Sequence, residues 1–219
     1  PILYLVNTNA HGDHTFGNYA FPKTTTIIAH RKTAEAMRHF EEEKRNLLAP
    51  VNGDRGVYAD AKLRLPDVVY DKFMQIDLGG RKFVAIEPVI RDLRTSLWGF
   101  DTGANCLFPG DGFAYSHYHL DGHCGLLAEE ATSLDLKDVL AVFAERALFW
   151  TTTTDMNIYV DKLEALMEDL GVEVVAPTHG LPITNLAVTM PKVRDGLIAD
   201  GDPEMTLGEP PVPAEGNAG

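Results

Sequence analysis

The chain has 219 residues, 45% hydrophobic and 23% charged, an ordinary globular composition with room for one domain and a substantial core. Its 32 acidic against 19 basic residues give a formal charge of −13. Such a field repels nucleic acid and anionic membrane surfaces unless a basic stripe intervenes, and Lys23, Arg31, Lys32, Arg91 and Arg94 are too scattered to form one.

Residues 2–6 read as a short, buried, apolar strand. No stretch of the chain is long and apolar enough to cross a bilayer, and no signal peptide is evident. The chain starts at Pro1 without an initiator methionine, so a truncated or processed N-terminus is expected, and a secretion signal lost with it is left open. Residues 24–29 form a second strand. Residues 31–48 form one helix with Ala34, Met37, Phe40 and Leu47 facing inward. A Gly-, Asp- and Pro-rich loop covers 50–67. Residues 72–78 and 81–88 form a hairpin around Gly79-Gly80, and 95–101 with 106–108 form another. A His- and Tyr-bearing loop runs from 113 to 125. Helices cover 135–148, 156–170 and 184–198, the last despite Pro191, with a buried strand at 172–176. A domain spanning 1–200 is expected, followed by a disordered Pro- and Gly-rich tail at 201–219. Cys106 and Cys124 make no disulfide framework, so a reducing, cytoplasmic setting is expected.

The chemistry concentrates at strand ends. The first strand runs into Asn7-Thr8-Asn9-Ala10-His11-Gly12-Asp13-His14, two imidazoles and a carboxylate around a glycine. Imidazole and carboxylate together suit zinc, iron or manganese. Asp13 and His14 are adjacent and able to serve one ion, while His11 faces a neighbouring position. Asp111 follows an apolar strand between two glycines, and His179 follows another in Ala176-Pro177-Thr178-His179-Gly180. An isolated strand-end Asp or His caps a helix as readily as it binds a metal. Three strand ends carrying such residues point to one site, with Asp13, His14, Asp111 and His179 as four ligands. The loop 116–124 adds His117, His119, His123 and Cys124. It serves as a substitute ligand source, a separate zinc site or a substrate mouth. The last is preferred, with His117 or His119 transferring protons. Tyr115 and Tyr118 either donate to a developing oxyanion or pack. Arg91 and Arg94 are candidate grips for a substrate carboxylate.

The ordered combination of His11-Gly12-Asp13-His14, Leu107-Phe108-Pro109-Gly110-Asp111 and Ala176 to Gly180 resembles the metallo-β-lactamase fold superfamily over about residues 2 to 185. The continuation Gly12 to Phe21 is similar to its branch of small metallo-hydrolases. The resemblance implies an α+β chain folded as a four-layer αββα sandwich, lacking its first strands, with metal at the sheet edge. Two departures stand out. Asn9 takes the place of the first histidine, and the stretch expected to hold the middle histidine, Arg91 to Ser96, has none. Asp92 is the nearest substitute by motif order. The implied ligand set is therefore uneven. Asp13, His14, Asp111 and His179 complete one position. The other has His11, Asp92, the Asn9 amide oxygen and a share of Asp111.

The expectation is one well-held zinc and a second ion that is weak or absent. Some single-zinc relatives, hydrolytic dehalogenases among them, work with a reduced set. The function implied is metal-assisted hydrolysis of a small molecule carrying a lactone, amide, ester, thioester or activated carbon–halogen bond. Asp13 and Asp111 would orient the attacking water. The alternatives are a di-iron redox protein of the same fold, favoured by Asp92, and a degenerate member that binds metal without turnover. Partners are a small-molecule substrate, with neither nucleic acid nor membrane; a homodimer is left open.

Overall fold

Short runs of β-branched and aromatic residues supply two sheets. The computed structural model describes residues 1–48, 58–115, 117, 125–132 and 134–199. In the smaller sheet, β1 (Tyr4–Val6), β2 (Thr26–His30) and β3 (Val68–Tyr70) run parallel in the order β1-β2-β3. Tyr4 is in register with Thr26, and Ile28 with Val68. The larger sheet follows chain order: β4 (Gln75–Asp77), β5 (Lys82–Ile86), β6 (Trp98–Asp101), β7 (Cys106–Phe108) and β8 (Val174–Val175). Its pairings are antiparallel except the last, where Leu107 lies beside Val175 in parallel.

The helices are α1 (Gly12–Thr15), α2 (Arg31–Ala36), α3 (Phe40–Leu48), α4 (Leu136–Ala147), α5 (Met156–Leu170) and α6 (Leu186–Ile198). Side-chain oxygens of Asp135 and Asp155 cap α4 and α5 by accepting from the first free amides. Trp98, Phe100, Leu107 and Val175 of the larger sheet share one buried cluster with residues of α4, α5 and α6, among them Leu140, Leu163 and Leu197. Each such side chain contributes about 2 kcal/mol by leaving water. Helix α2 packs on β2 and β3, and the two sheets meet along a groove lined by Tyr4, Val6, Ile76 and Phe83. The layers are therefore helix, sheet, sheet, helix, as the αββα expectation requires. No helix among the described residues is long and apolar enough to cross a membrane.

Several local expectations need correction. The first strand is not buried: it starts at Tyr4, which is exposed, with Leu5 and Val6 half-buried at the edge of the sheet, and Ile2 and Leu3 before it are 58% and 61% exposed. The 31–48 helix is broken by a 3-10 turn at Met37–His39. In such a turn residues three apart share a side, and Met37 and Phe40 are both buried there. Ala34 is only half-buried, and the Leu47 side chain lies outside the described residues. Strand β6 starts at Trp98, not 95, and β8 keeps only two residues of 172–176. Strand β3 falls between the expected loop and hairpin; three residues are too few to show a period. Both expected hairpins form. Gly79 and Gly80 adopt φ of 76° and 87°, and Leu78 N donates to Arg81 O at 2.9 Å. The tail at 201–219 lies outside the described residues.

Candidate metal centre

Four chain segments deliver the site. The first leaves β1 as Asn7 to Ala10 and turns into the single-turn helix α1. Two buried amides hold that turn. Asn7 and Asn18 donate to each other's side-chain oxygens at 3.0 Å, and Asn7 also donates to His14 O. His14 Nδ1 and the Thr8 hydroxyl are hydrogen-bonded at 3.0 Å, which orients the ring and leaves Nε2 for the site. The second segment is the turn at 91–96, tied to the first by Leu97 N donating to Thr8 O at 2.7 Å. The Ser96 hydroxyl donates to Asp92 Oδ1, and Trp150 Nε1 donates to Arg91 O at 2.7 Å. The third is the 3-10 turn Gly110–Phe113 after β7, which buries Asp111. The fourth is the loop after β8, joined to the third by Thr178 N donating to Gly110 O. There Gly180 has φ of 99°, and a Cβ at that position would stand 2.5 Å from the Tyr115 ring. Only glycine satisfies both conditions.

His11, Asp13, His14, Asp92, Asp111 and His179 all converge. His179 Nε2 lies 3.0 Å from Asp13 Oδ2 and 3.6 Å from Asp111 Oδ1. His14 Nε2 lies 3.5 Å from Asp13 Oδ2 and 3.3 Å from Asp111 Oδ2. His11 Nδ1 lies 3.2 Å from Asp92 Oδ2. Two sets of atoms are each mutually within 4.8 Å: those of Asp13, His14 and His179, and those of His11, Asp92 and Asp111. Asn9 departs from expectation. Its Oδ1 accepts from His11 N at 2.9 Å, and its Nδ2 donates to Asp111 Oδ2 at 2.8 Å. The oxygen expected to face a metal is thus engaged by backbone, and the amide presents donors instead.

The sequence matches the family model of the metallo-beta-lactamase superfamily over residues 1–188. The chain belongs to that superfamily. Among solved structures, this superfamily member is similar to a flavodiiron protein from Giardia intestinalis, with TM-score 0.60 and 16% identity over 89% of this chain and 41% of that one. Rubredoxin:oxygen oxidoreductase from Desulfovibrio gigas gives 0.60 and 16%, covering 90% and 43%. A flavoprotein from Thermotoga maritima gives 0.55 and 17%, covering 90% and 42%. At these identities the likeness is one of fold, and the chain spans about two-fifths of the length of those structures. No curated protein matches the sequence.

Electrostatics follow from the pairing. The hydrogen bond to Asp92 raises the His11 pKa, against burial. The hydrogen bond to Asp13 does the same for His179. Burial pushes the Asp13 carboxyl up, but His179 and His14 outweigh it and hold it low. Burial likewise opposes ionisation of Asp92, yet hydrogen bonds from His11 and Ser96 bring it down to about 2. Hydrogen bonds to the charged form are the common cause, with opposite charges on adjacent groups adding to them.

The cluster opens into a cavity of about 770 Å³. His117 lines it; His119, His123 and Cys124 lie outside the described residues, as does Tyr118. Tyr115 packs beneath Gly180, and its hydroxyl accepts from Leu181 N at 2.9 Å. Arg91 and Arg94 do not reach this cavity; they line a separate depression with His30 and Lys72. The residues that sequence reasoning missed are Phe143, Arg146 and Phe149, from the end of α4 and the turn after it. A basic residue in the last turn of a helix usually reads as a partner of the helix dipole, so nothing in the spacing singled out Arg146.

Proposed function

We propose that this chain is a metal-dependent hydrolase for a small molecule with a lactone, amide, ester, thioester or activated carbon–halogen bond. One observation carries the reading. His14 Nε2 and Asp111 Oδ1 are buried without a hydrogen-bond partner among the described residues. Such atoms are costly unless something compensates them, and they lie against Asp13 and His179. Two imidazole nitrogens and two carboxylates are a donor set that suits zinc. Asp13, His14, Asp111 and His179 would hold the ion, which supplies a bound water of lowered pKa and a Lewis acid for the substrate oxygen.

The chain's own residues do the rest. Asp13, with a third of its side chain exposed and lining the cavity, would orient the attacking water. His117 on the cavity wall is the candidate proton carrier, with His119 as its alternate. Phe143, Phe149 and Leu93 offer apolar wall, and Arg146 a positive charge for an anionic substrate group. A cytoplasmic setting, a small-molecule partner and no nucleic acid complete the reading.

Metal analysis of the purified chain, with chromogenic esters, lactones and thioesters as substrates, tests it. About one equivalent of zinc is expected, with hydrolysis lost to chelators and in His179→Ala. A chain that binds no divalent metal overturns it. The second reading, a di-iron redox protein, is favoured by the two carboxylates in the His11–Asp92–Asp111 group, because an oxygen-rich set suits iron. Two equivalents of iron and a visible absorption band would select it.

A further inference from the structure

The two groups of candidate ligands differ in how far their lone pairs are already used. Beside Asp13 and His179, His14 Nε2 and Asp111 Oδ1 have no hydrogen-bond partner among the described residues. The other pair of that group, His179 Nε2 and Asp13 Oδ2, is hydrogen-bonded at 3.0 Å, but around His11 and Asp92 every carboxylate oxygen that faces the group is engaged. Asp92 Oδ1 accepts from the Ser96 hydroxyl. Asp92 Oδ2 lies 3.2 Å from His11 Nδ1 and accepts from Asn9 Nδ2 at 3.4 Å. Asp111 Oδ2 accepts from the same Asn9 nitrogen at 2.8 Å. The amide has no freedom to turn over. Its oxygen accepts from His11 N at 2.9 Å, where a reversed amide would set two donors against each other. The side chain is also 1% exposed.

An amide N–H carries partial positive charge at its hydrogen. A cation seated between Asp92 and Asp111 would meet those hydrogens and compete for the same lone pairs. Burial leaves little water to screen the conflict. We propose that Asn9 closes this second cation position. The chain then holds a single divalent ion, on Asp13, His14, Asp111 and His179. His11 and Asp92 act as positioning residues, a hydrogen-bonded wall that fixes Asn9 and through it Asp111. The inference rests on the metal-dependent reading above.

The test counts ions and needs no substrate. Metal-free protein is titrated with Zn²⁺ by calorimetry, and bound zinc is measured after desalting. Wild type is expected to take one equivalent, His179→Ala to lose it, and His11→Ala to keep it. Asn9→Asp removes both donors and adds a carboxylate at near-constant volume; it is expected to gain a second equivalent, as is Asn9→His. Two equivalents on wild type, or His11→Ala taking fewer ions than wild type, overturn the inference and leave the metal-dependent reading standing. A folded Asn9→Asp or Asn9→His that stays at one equivalent overturns the role given to Asn9. If both variants fail to fold, the wild-type and His11→Ala counts decide. No bound zinc on wild type removes the metal-dependent reading, and the inference falls with it.

Discussion

His179 Nε2 is shared between a proton and any metal, and the two compete. Its hydrogen bond to Asp13 lifts its pKa above the ordinary 6.5, so the proton holds on to higher pH. On the zinc reading, affinity is therefore expected to weaken on acidification starting above pH 6.5, and competition titrations at a series of pH values test this. The sign reverses for Asp92 in the metal-free chain. Its carboxyl is held at about 2, below the usual 3.8. A depressed carboxylate stabilises the fold above its unfolded pKa, and that contribution fades as pH falls from 3.8 towards 2. Asp92→Asn is expected to flatten this acid limb in urea unfolding of metal-free protein. The convergence of His11, Asp13, His14, Asp111 and His179 was legible, because their motifs sit at strand ends. The opposite orientation of the Asn9 amide was not, because it depends on which neighbour donates to it, and a one-dimensional spacing carries no such information.

At the scale of elements, α4 and α6 come close enough that only a hydrogen fits at Gly196. A Cβ there would stand 2.7 Å from Lys137 O and 2.7 Å from Leu140 Cβ. Because one of these is backbone, the helices must part. Gly196→Ala is expected to cost about 2 kcal/mol in urea denaturation, despite the better helix propensity of alanine. The long helices were readable from period and caps, and the Gly-Gly hairpin from its turn. What escaped were short pieces decided by tertiary contact. Strand β3 is three residues long, and the break at Met37–His39 interrupts a pattern that keeps Met37 and Phe40 buried on either reading. The exposure of Ile2 and Leu3 also escaped, since apolarity alone does not tell an edge strand from a central one.

The whole molecule carries a charge of −13, so its far field opposes anions even though Arg146 stands at the cavity. On the hydrolase reading, kcat/KM for an anionic ester is expected to rise several-fold with added salt, while that of a neutral ester barely moves, because screening removes only the repulsion. The arrangement of layers followed from the order of the motifs. The composition of the cavity wall did not, because α4 comes to it from a distant part of the sequence. The chain has two tryptophans, and they sit in contrasting places. Trp98 is sealed in the core at 1% exposure, whereas Trp150 is anchored to the carbonyl that precedes Asp92. The protein thus carries its own pair of fluorophores, one in the core and the other hydrogen-bonded beside the candidate centre. On the metal-dependent reading, Trp98→Phe leaves Trp150 as the only tryptophan, and its emission is expected to change as Zn²⁺ is added, without any attached dye.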